Sequence, residues 1–225
     1  MMAESVVTSG LGKTYQEGKV TVQAVAGADL SLREGEVIGL FGPSGSGKTT
    51  LLSLVGCILR PTSGSLRIYD HEVSQLPETR LPEIRKKYIS FIFQGFNLFP
   101  ALTAQENVLL GLRMKGIVGR EAEQRTREIL AVVGLEERVN FLPRDLSGGQ
   151  KQRVAVARAL SAECPIILAD EPTGNLDPQL STEILNLLKD INEKNKITIF
   201  MVTHSPAASQ YGNVAIKLKD GQVEN

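Results

Sequence analysis

Over the first forty residues, apolar positions fall in short or alternating runs: Val6-Val7, Val20-Thr21-Val22, Ala28 to Leu32, then Glu36-Val37-Ile38-Gly39-Leu40-Phe41. Gly18, Gly27 and Gly35 punctuate them, so the pattern predicts an antiparallel sheet leading into one buried strand. A helix is expected from about Lys48 to Leu59, stopped by Pro61 and Gly64, and a strand from Ser65 to Tyr69. Polar segments surround Pro77 and Pro82, and a buried strand, Tyr88 to Phe93, follows and ends at Gln94. Helical spacing then runs through Thr103–Met114, Glu121–Val133 and Gly148–Leu160. Strand character returns at Pro165–Asp170 and Ile197–Val202, flanking an amphipathic helix marked by Leu180, Ile184, Leu187, Leu188 and Ile191. A last strand, Val214–Leu218, ends at the Asp220-Gly221 turn. Buried strands separated by helices indicate an α/β fold with a largely parallel sheet covered on both faces and a helical insertion.

The 225 residues, 42% hydrophobic, suffice for one substantial α/β core. Lys+Arg and Asp+Glu balance at 25 each, so no global basic field argues for nucleic acid. No apolar run approaches the ~20 residues that span a bilayer. Met1 to Thr14 lacks a basic segment followed by an apolar one, so no signal peptide is expected. Cys57 and Cys164 sit in apolar surroundings far apart in sequence and read as small buried hydrophobes.

Two segments carry chemistry. Gly42-Pro43-Ser44-Gly45-Ser46-Gly47-Lys48-Thr49 fits G-x-x-x-x-G-K-[ST], whose backbone N–H groups cradle phosphates. The predicted buried strand before it and helix after it are the context that motif requires. Gly45 and Gly47 allow a tight turn, Lys48 brings a cation to the β- and γ-phosphates, the Thr49 hydroxyl is the expected Mg²⁺ ligand, and Thr50 adds a hydroxyl near the α-phosphate. Leu146-Ser147-Gly148-Gly149-Gln150 opens a further helix, and such an N-terminus is itself an anion site. One chain thus offers two phosphate-binding surfaces, as an engine that sandwiches ATP between two copies of itself would need.

Asp170 and Glu171 end a strand on opposite sides, so their roles should differ: Asp170 supports hydrated Mg²⁺, and Glu171 faces the attacking water as base or polariser. Gln94 and His204 also end buried strands, where ligands of open α/β sheets sit. Gln94 would reach Mg²⁺ and water; His204 would donate to the γ-phosphate and hold the Glu171 geometry. Tyr15, in the β-rich hairpin, would stack on adenine.

The phosphate loop, Gln94, Leu146–Gln150 followed by Lys151-Gln152-Arg153-Val154-Ala155, Asp170-Glu171, Asn175-Leu176-Asp177 and His204 occur in the order seen in ATP-binding-cassette (ABC) nucleotide-binding domains, and the chain resembles them over essentially its whole length. The stretches Phe91–Val108 and Asp170–Asp177 resemble the lipoprotein-releasing, macrolide-exporting and cell-division ATPases (LolD-, MacB- and FtsE-like) and related bacterial glycolipid exporters. After His204 stands Ser205, where many members carry Asp.

The resemblance implies a P-loop NTPase core with a mainly parallel sheet, an N-terminal antiparallel β-subdomain and an inserted helical subdomain. Within one domain, 1–225, about 1–94 and 163–225 would form the ATP-binding core and about 95–162 the helical part. It further implies ATP with Mg²⁺ (ligands Thr49 and Gln94) at a head-to-tail homodimer interface. There Ser147, Gly148, Gly149, Gln150 and Asp177 act in trans, and Glu171, His204 and Gln94 are catalytic. The implied activity is ATP hydrolysis that drives an integral membrane permease from the cytoplasmic side of the inner membrane, for export or extraction of a lipid, lipoprotein or drug-like substrate. The alternative is a non-transport mechanical ATPase regulating an envelope or cell-division machine. Nucleic acid is not an expected partner. Phe96, Leu98 and Phe99 are expected either inside the helical part or as a groove wall for the membrane partner.

Overall fold

The computed structural model describes residues 3–204 and 211–224. Strands β1 (Glu4–Glu17) and β2 (Val20–Arg33) form a long antiparallel ladder. β3 (Val37–Phe41) leads into α1 (Lys48–Val55). β4 (Ser63–Ile68) and β5 (His71–Glu72) complete a four-stranded sheet in the order β2-β1-β4-β5. Then come α2 (Leu81–Tyr88), β6 (Ile89–Phe93), α3 (Ala104–Met114), α4 (Gly119–Val132), α5 (Gly148–Ser161), β7 (Ile166–Asp170), α6 (Pro178–Asn195), β8 (Thr198–Val202), β9 (Val214–Lys219) and β10 (Gln222–Glu224). The second sheet has the order β10-β9-β3-β8-β7-β6 and is parallel except for the β9–β10 hairpin.

The period of two along each parallel strand divides the core. Ile166, Leu168, Phe200 and Val202 face a layer made by the antiparallel sheet, α1 and α2. Ile167, Ala169, Ile199 and Met201 face α3, α4, α5 and α6. A buried aliphatic side chain contributes about 1.5–3 kcal/mol, so both faces are strongly specified and a one-residue slip of either strand is excluded. Register then aligns the strand ends. Phe93 pairs with Asp170, Asp170 with Val202, and Val202 with Leu40. The next residues of each strand therefore leave the same edge together: Gln94, Glu171, Thr203-His204 and the phosphate loop.

Four expectations are corrected. The early β segments are not separate short strands; β1 and β2 each run 14 residues, with bulges absorbing the breaks in pattern. The helix after the phosphate loop stops at Val55, where Gly56 caps it and Cys57 turns left-handed (φ 54°). The polar region around Pro82 is helical. That proline lies in the first turn of α2, where no helical hydrogen bond is lost, and Leu81 and Ile84 are buried, so the strand after it starts at Ile89 and Tyr88 ends the helix. Leu98 packs against the second core, while Phe99 is 53% exposed, so the apolar residues after Gln94 do not share one role. Cys57 and Cys164 are both buried free thiols, and burial pushes the Cys57 thiol up to about 12. Among the described residues, no helix is long and apolar enough to cross a membrane.

Candidate active site

Between β3 and α1, Gly47 caps the helix in a left-handed conformation (φ 99°) without a side-chain cap, which leaves first-turn N–H groups of α1 free of side-chain acceptors. The glycines are demanded by neighbours. A Cβ at Gly47 would lie 2.0 Å from the Ala24 carbonyl oxygen of β2, and one at Gly42 would lie 2.1 Å from that of Leu218 on β9. The Gly221 N–H donates to the Ser46 carbonyl (3.0 Å), and the Gly221 carbonyl accepts from Ala26 N–H (2.7 Å). The loop is thus clamped between β2 and the C-terminal hairpin. Sequence reading missed this support because its parts lie about 20 residues before and 170 after the loop.

Lys48 is buried, and its Nζ donates to the carbonyls of Gly42 (2.9 Å) and Pro43 (2.8 Å). Burial lowers its pKa, against the opposing pull of the Glu171 and Asp170 carboxylates. Thr49 Oγ1 donates to Asp170 Oδ1 at 3.2 Å. Burial raises the Asp170 pKa, with the Thr49 hydrogen bond opposing and the nearby Glu171 charge reinforcing the rise. The buried Ser46 hydroxyl has no partner among the described residues.

Past Asp170 the chain turns left-handed at Glu171 (φ 46°), a conformation that costs a non-glycine residue roughly 1–2 kcal/mol and marks functional turns. Its Oε1 lies 2.8 Å from His204 Nε2. Ser44, Gly45, Lys48, Thr49, Thr50, Glu171 and His204 surround a cleft of about 250 Å³, with Ala24 on its rim. The Gln94 side chain meets this group from β6. A Cβ on Gly174 would be 2.8 Å from Gln94 Nε2 and 3.2 Å from Glu171 Oε2, so both amide and carboxylate converge on Gly174. Asn175 Nδ2 donates to the Gln94 carbonyl at 2.9 Å and ties the Asp177 turn to it.

The other expected residues stand apart. None of Ser147, Gly148, Gly149, Gln150 or Asp177 lines the cleft. Ser147 caps α5: its Oγ accepts from Gln150 N–H (3.3 Å) while Gln150 Oε1 accepts from Ser147 N–H (3.0 Å). No acidic side chain occupies the first turn of α5, so its N-terminus keeps its positive field. A Cβ on Gly149 would meet Leu180 at 3.0 Å, a packing reason for that glycine which the motif alone does not reveal. Asp177 caps α6 by accepting from Leu180 N–H (2.9 Å), a helix-start role the sequence reading did not assign. Tyr15 pairs with Val22 across the β1–β2 ladder, with Lys13 Nζ 5.4 Å from its ring centre. Ala24, two residues along the partner strand, is the sheet residue that reaches the cleft. Ser205 lies outside the described residues.

Residues 25–174 match the family model described as ABC transporter. The chain is 46% identical to the ABC transporter ATP-binding protein MJ0796 of Methanocaldococcus jannaschii, over 94% of this chain and 92% of that protein. It is 40% identical to the lipoprotein-releasing system ATP-binding protein LolD of Geobacter metallireducens, over 99% of each. Among solved structures it is similar to the dimeric ATP-binding cassette MJ0796 in a post-hydrolysis state bound to ADP and Pi, with a TM-score of 0.90 at 43% identity, covering 98% of this chain and 97% of that one. The chain belongs to the ABC transporter family. It is an ATP-binding, ATP-hydrolysing cassette of that family.

Proposed function

We propose that this chain is the motor subunit of a membrane transporter: two copies close head to tail over ATP, and hydrolysis reopens them to drive a separate integral membrane permease. The carrying observation is the split of the phosphate chemistry. The cleft holds Lys48, Thr49, Glu171 and His204, whereas Ser147 and the N-terminus of α5 that it caps do not line it. A γ-phosphate held by the first is completed by the second only from a neighbouring copy. By its likeness to LolD, we assign the cargo to the lipid, lipoprotein or drug-like class and the chain to the cytoplasmic membrane face. Residues 95–162 then act as a helical subdomain that carries the second surface.

The donor set fits a nucleotide with Mg²⁺. Backbone N–H groups at Gly45, Gly47, Lys48 and Thr49 and the Lys48 ammonium suit phosphate oxygens, while the Thr49 hydroxyl is a hard oxygen ligand with the Asp170 carboxylate 3.2 Å from it. When bound, Mg²⁺ neutralises charge on the β- and γ-phosphates; Thr49 and Gln94 would hold it, with Asp170 supporting its hydration. Glu171 orients the attacking water and takes its proton. His204, hydrogen-bonded to Glu171 Oε1, fixes that carboxylate and offers a donor toward the γ-phosphate. Tyr15 stacks on the base.

Asp170→Asn tests the reading. Phosphate release with ATP and Mg²⁺ should fall about 10- to 100-fold, the usual cost of losing a group that supports a metal's ligands. The nucleotide-free variant should be no less stable at neutral pH. A carboxylate whose folded pKa is raised favours folding below its unfolded pKa and opposes it as pH rises through the folded value. Asn keeps the Thr49 acceptor and removes that charge. Undiminished turnover, or absence of turnover in the parent chain, contradicts the function.

The permease docks on a largely apolar groove of about 460 Å³ between β6, the loop after it and α3, walled by Phe91, Phe93, Phe99, Leu110 and Met114. Phe99 and Met114 are each more than half exposed there. Phe99→Asp should abolish co-purification with the permease while soluble ATP turnover stays within about twofold, since an exposed substitution leaves the core intact. Retained assembly places docking elsewhere.

A further inference from the structure

Arg158, near the C-terminal end of α5 and on the wall of the groove assigned to the permease, grips the loop that follows Gln94. Its Nη1 donates to the Asn97 carbonyl (2.6 Å) and its Nη2 to the Phe96 carbonyl (3.0 Å). Both acceptors are in the left-handed region, φ 60° at Phe96 and 47° at Asn97, and neither is glycine. Asn97 N–H also donates to the Gly95 carbonyl at 2.6 Å, which closes the turn tightly. Two successive L residues hold that conformation only where their surroundings impose it. A guanidinium is suited to the task, since its planar fork satisfies two carbonyls at once and keeps its charge even though partial burial lowers its pKa.

The position of this clamp is informative. The loop it grips starts immediately after Gln94, whose side chain converges with Glu171 on Gly174. The helix that bears it starts at the Ser147 cap, eleven residues earlier, roughly 16 Å along a rigid helix axis. Arg153 on the same helix ties instead to the Val133 carbonyl (3.0 Å) and the Glu183 carboxylate (2.9 Å), away from the loop.

We infer that Arg158 is a positioning residue that locks loop 95–97 to α5, so that contact made at the Ser147 end of the helix is delivered to Gln94 in the same chain. This rests on the proposed function, in which Ser147 meets the neighbour's phosphate. Closure of one site then sets the water and metal ligands of the other. The rigid element is α5, which also packs on β6, and its two hydrogen bonds tie it to the loop that Gln94 opens.

The test compares Arg158→Lys and Arg158→Gln with Arg153→Lys in the full chain. Turnover by the parent is measured first, because its absence refutes the functional reading and not the clamp. In the Arg158 variants, ATP affinity should stay within about twofold and kcat should fall at least about fivefold. Amide exchange across 94–97 should quicken, while that of α1 is unchanged. Adding Gln94→Ala should bring no further loss of kcat, whereas Gln94→Ala and Arg153→Lys should multiply. Unchanged exchange at 94–97, or multiplicative losses for Arg158 and Gln94, would overturn the inference. Loss of folding in both Arg158 variants would do so too, by assigning the residue to the core.

Discussion

Glu171→Gln is expected to bind ATP, accumulate as a dimer and turn over about 10²- to 10⁴-fold more slowly, the range by which a positioned base accelerates proton transfer. The amide matches the carboxylate in size and keeps an oxygen at the atom 2.8 Å from His204 Nε2, so the turn at Glu171 needs no rearrangement. What disappears is the ability to take a proton from water. Closure depends on the γ-phosphate as a ligand shared by two copies, and a ligand that binds only the closed form stabilises it by RT ln(1 + [L]/Kd). With hydrolysis blocked, that stabilisation persists. Size-exclusion chromatography with light scattering should therefore show a dimer with ATP and a monomer with ADP or no nucleotide. An oligomer indifferent to nucleotide would refute the mechanism, and unchanged phosphate release would remove Glu171 from it.

The second large effect separates the cis and trans surfaces. Lys48→Ala should weaken ATP binding by roughly 10- to 150-fold, the equivalent of about 1.5–3 kcal/mol for a lost hydrogen bond to a charged group. Ser147→Arg should leave the affinity of the monomer within about twofold, because the residue does not line the cleft, yet abolish turnover by filling the space for the neighbour's phosphate. It also removes the α5 cap, at a cost of about 1 kcal/mol, which the core absorbs. In a mixed dimer, one composite site carries both lesions and the other carries neither. Mixing the two inactive proteins should restore part of the activity, read as phosphate release against mixing ratio. Equal loss of ATP affinity in the two single variants would place Ser147 in cis and refute the head-to-tail arrangement.

Much of the cleft was legible because its parts are local. Gly42–Thr49 lie between one strand and one helix, and the donors that matter there are backbone groups and the first side chains of α1. Asp170 and Glu171 were legible for the same reason: four apolar strand residues end in two carboxylates. The long β1–β2 ladder and the α2 helix were harder to read. Bulges break the period of two in the first, and in the second a proline sits where a helix tolerates it but a pattern reader expects a break. Leu98 and Phe99 are adjacent and equally apolar, yet one packs inward and one outward. They follow the left-handed turn at Phe96 and Asn97, and their places in the fold, not their residue type, separate them.

By itself, the order of residues determined the α/β class, the buried parallel strands, the phosphate loop and the places of Lys48, Asp170 and Glu171 at the ends of their elements. Each depends on periodicity or on spacing within a dozen residues, where the chain's own geometry leaves few choices. The tertiary structure decided what brings distant segments into register. The aligned ends of β3, β6, β7 and β8 set Glu171 and His204 on one cleft with the phosphate loop and bring Gln94 beside Glu171 at Gly174. The β9–β10 hairpin clamps the phosphate loop from the far end of the chain, and Arg158 grips a left-handed loop 61 residues upstream. Such contacts join surfaces that meet only after the core has packed, and no local pattern encodes which surfaces those will be.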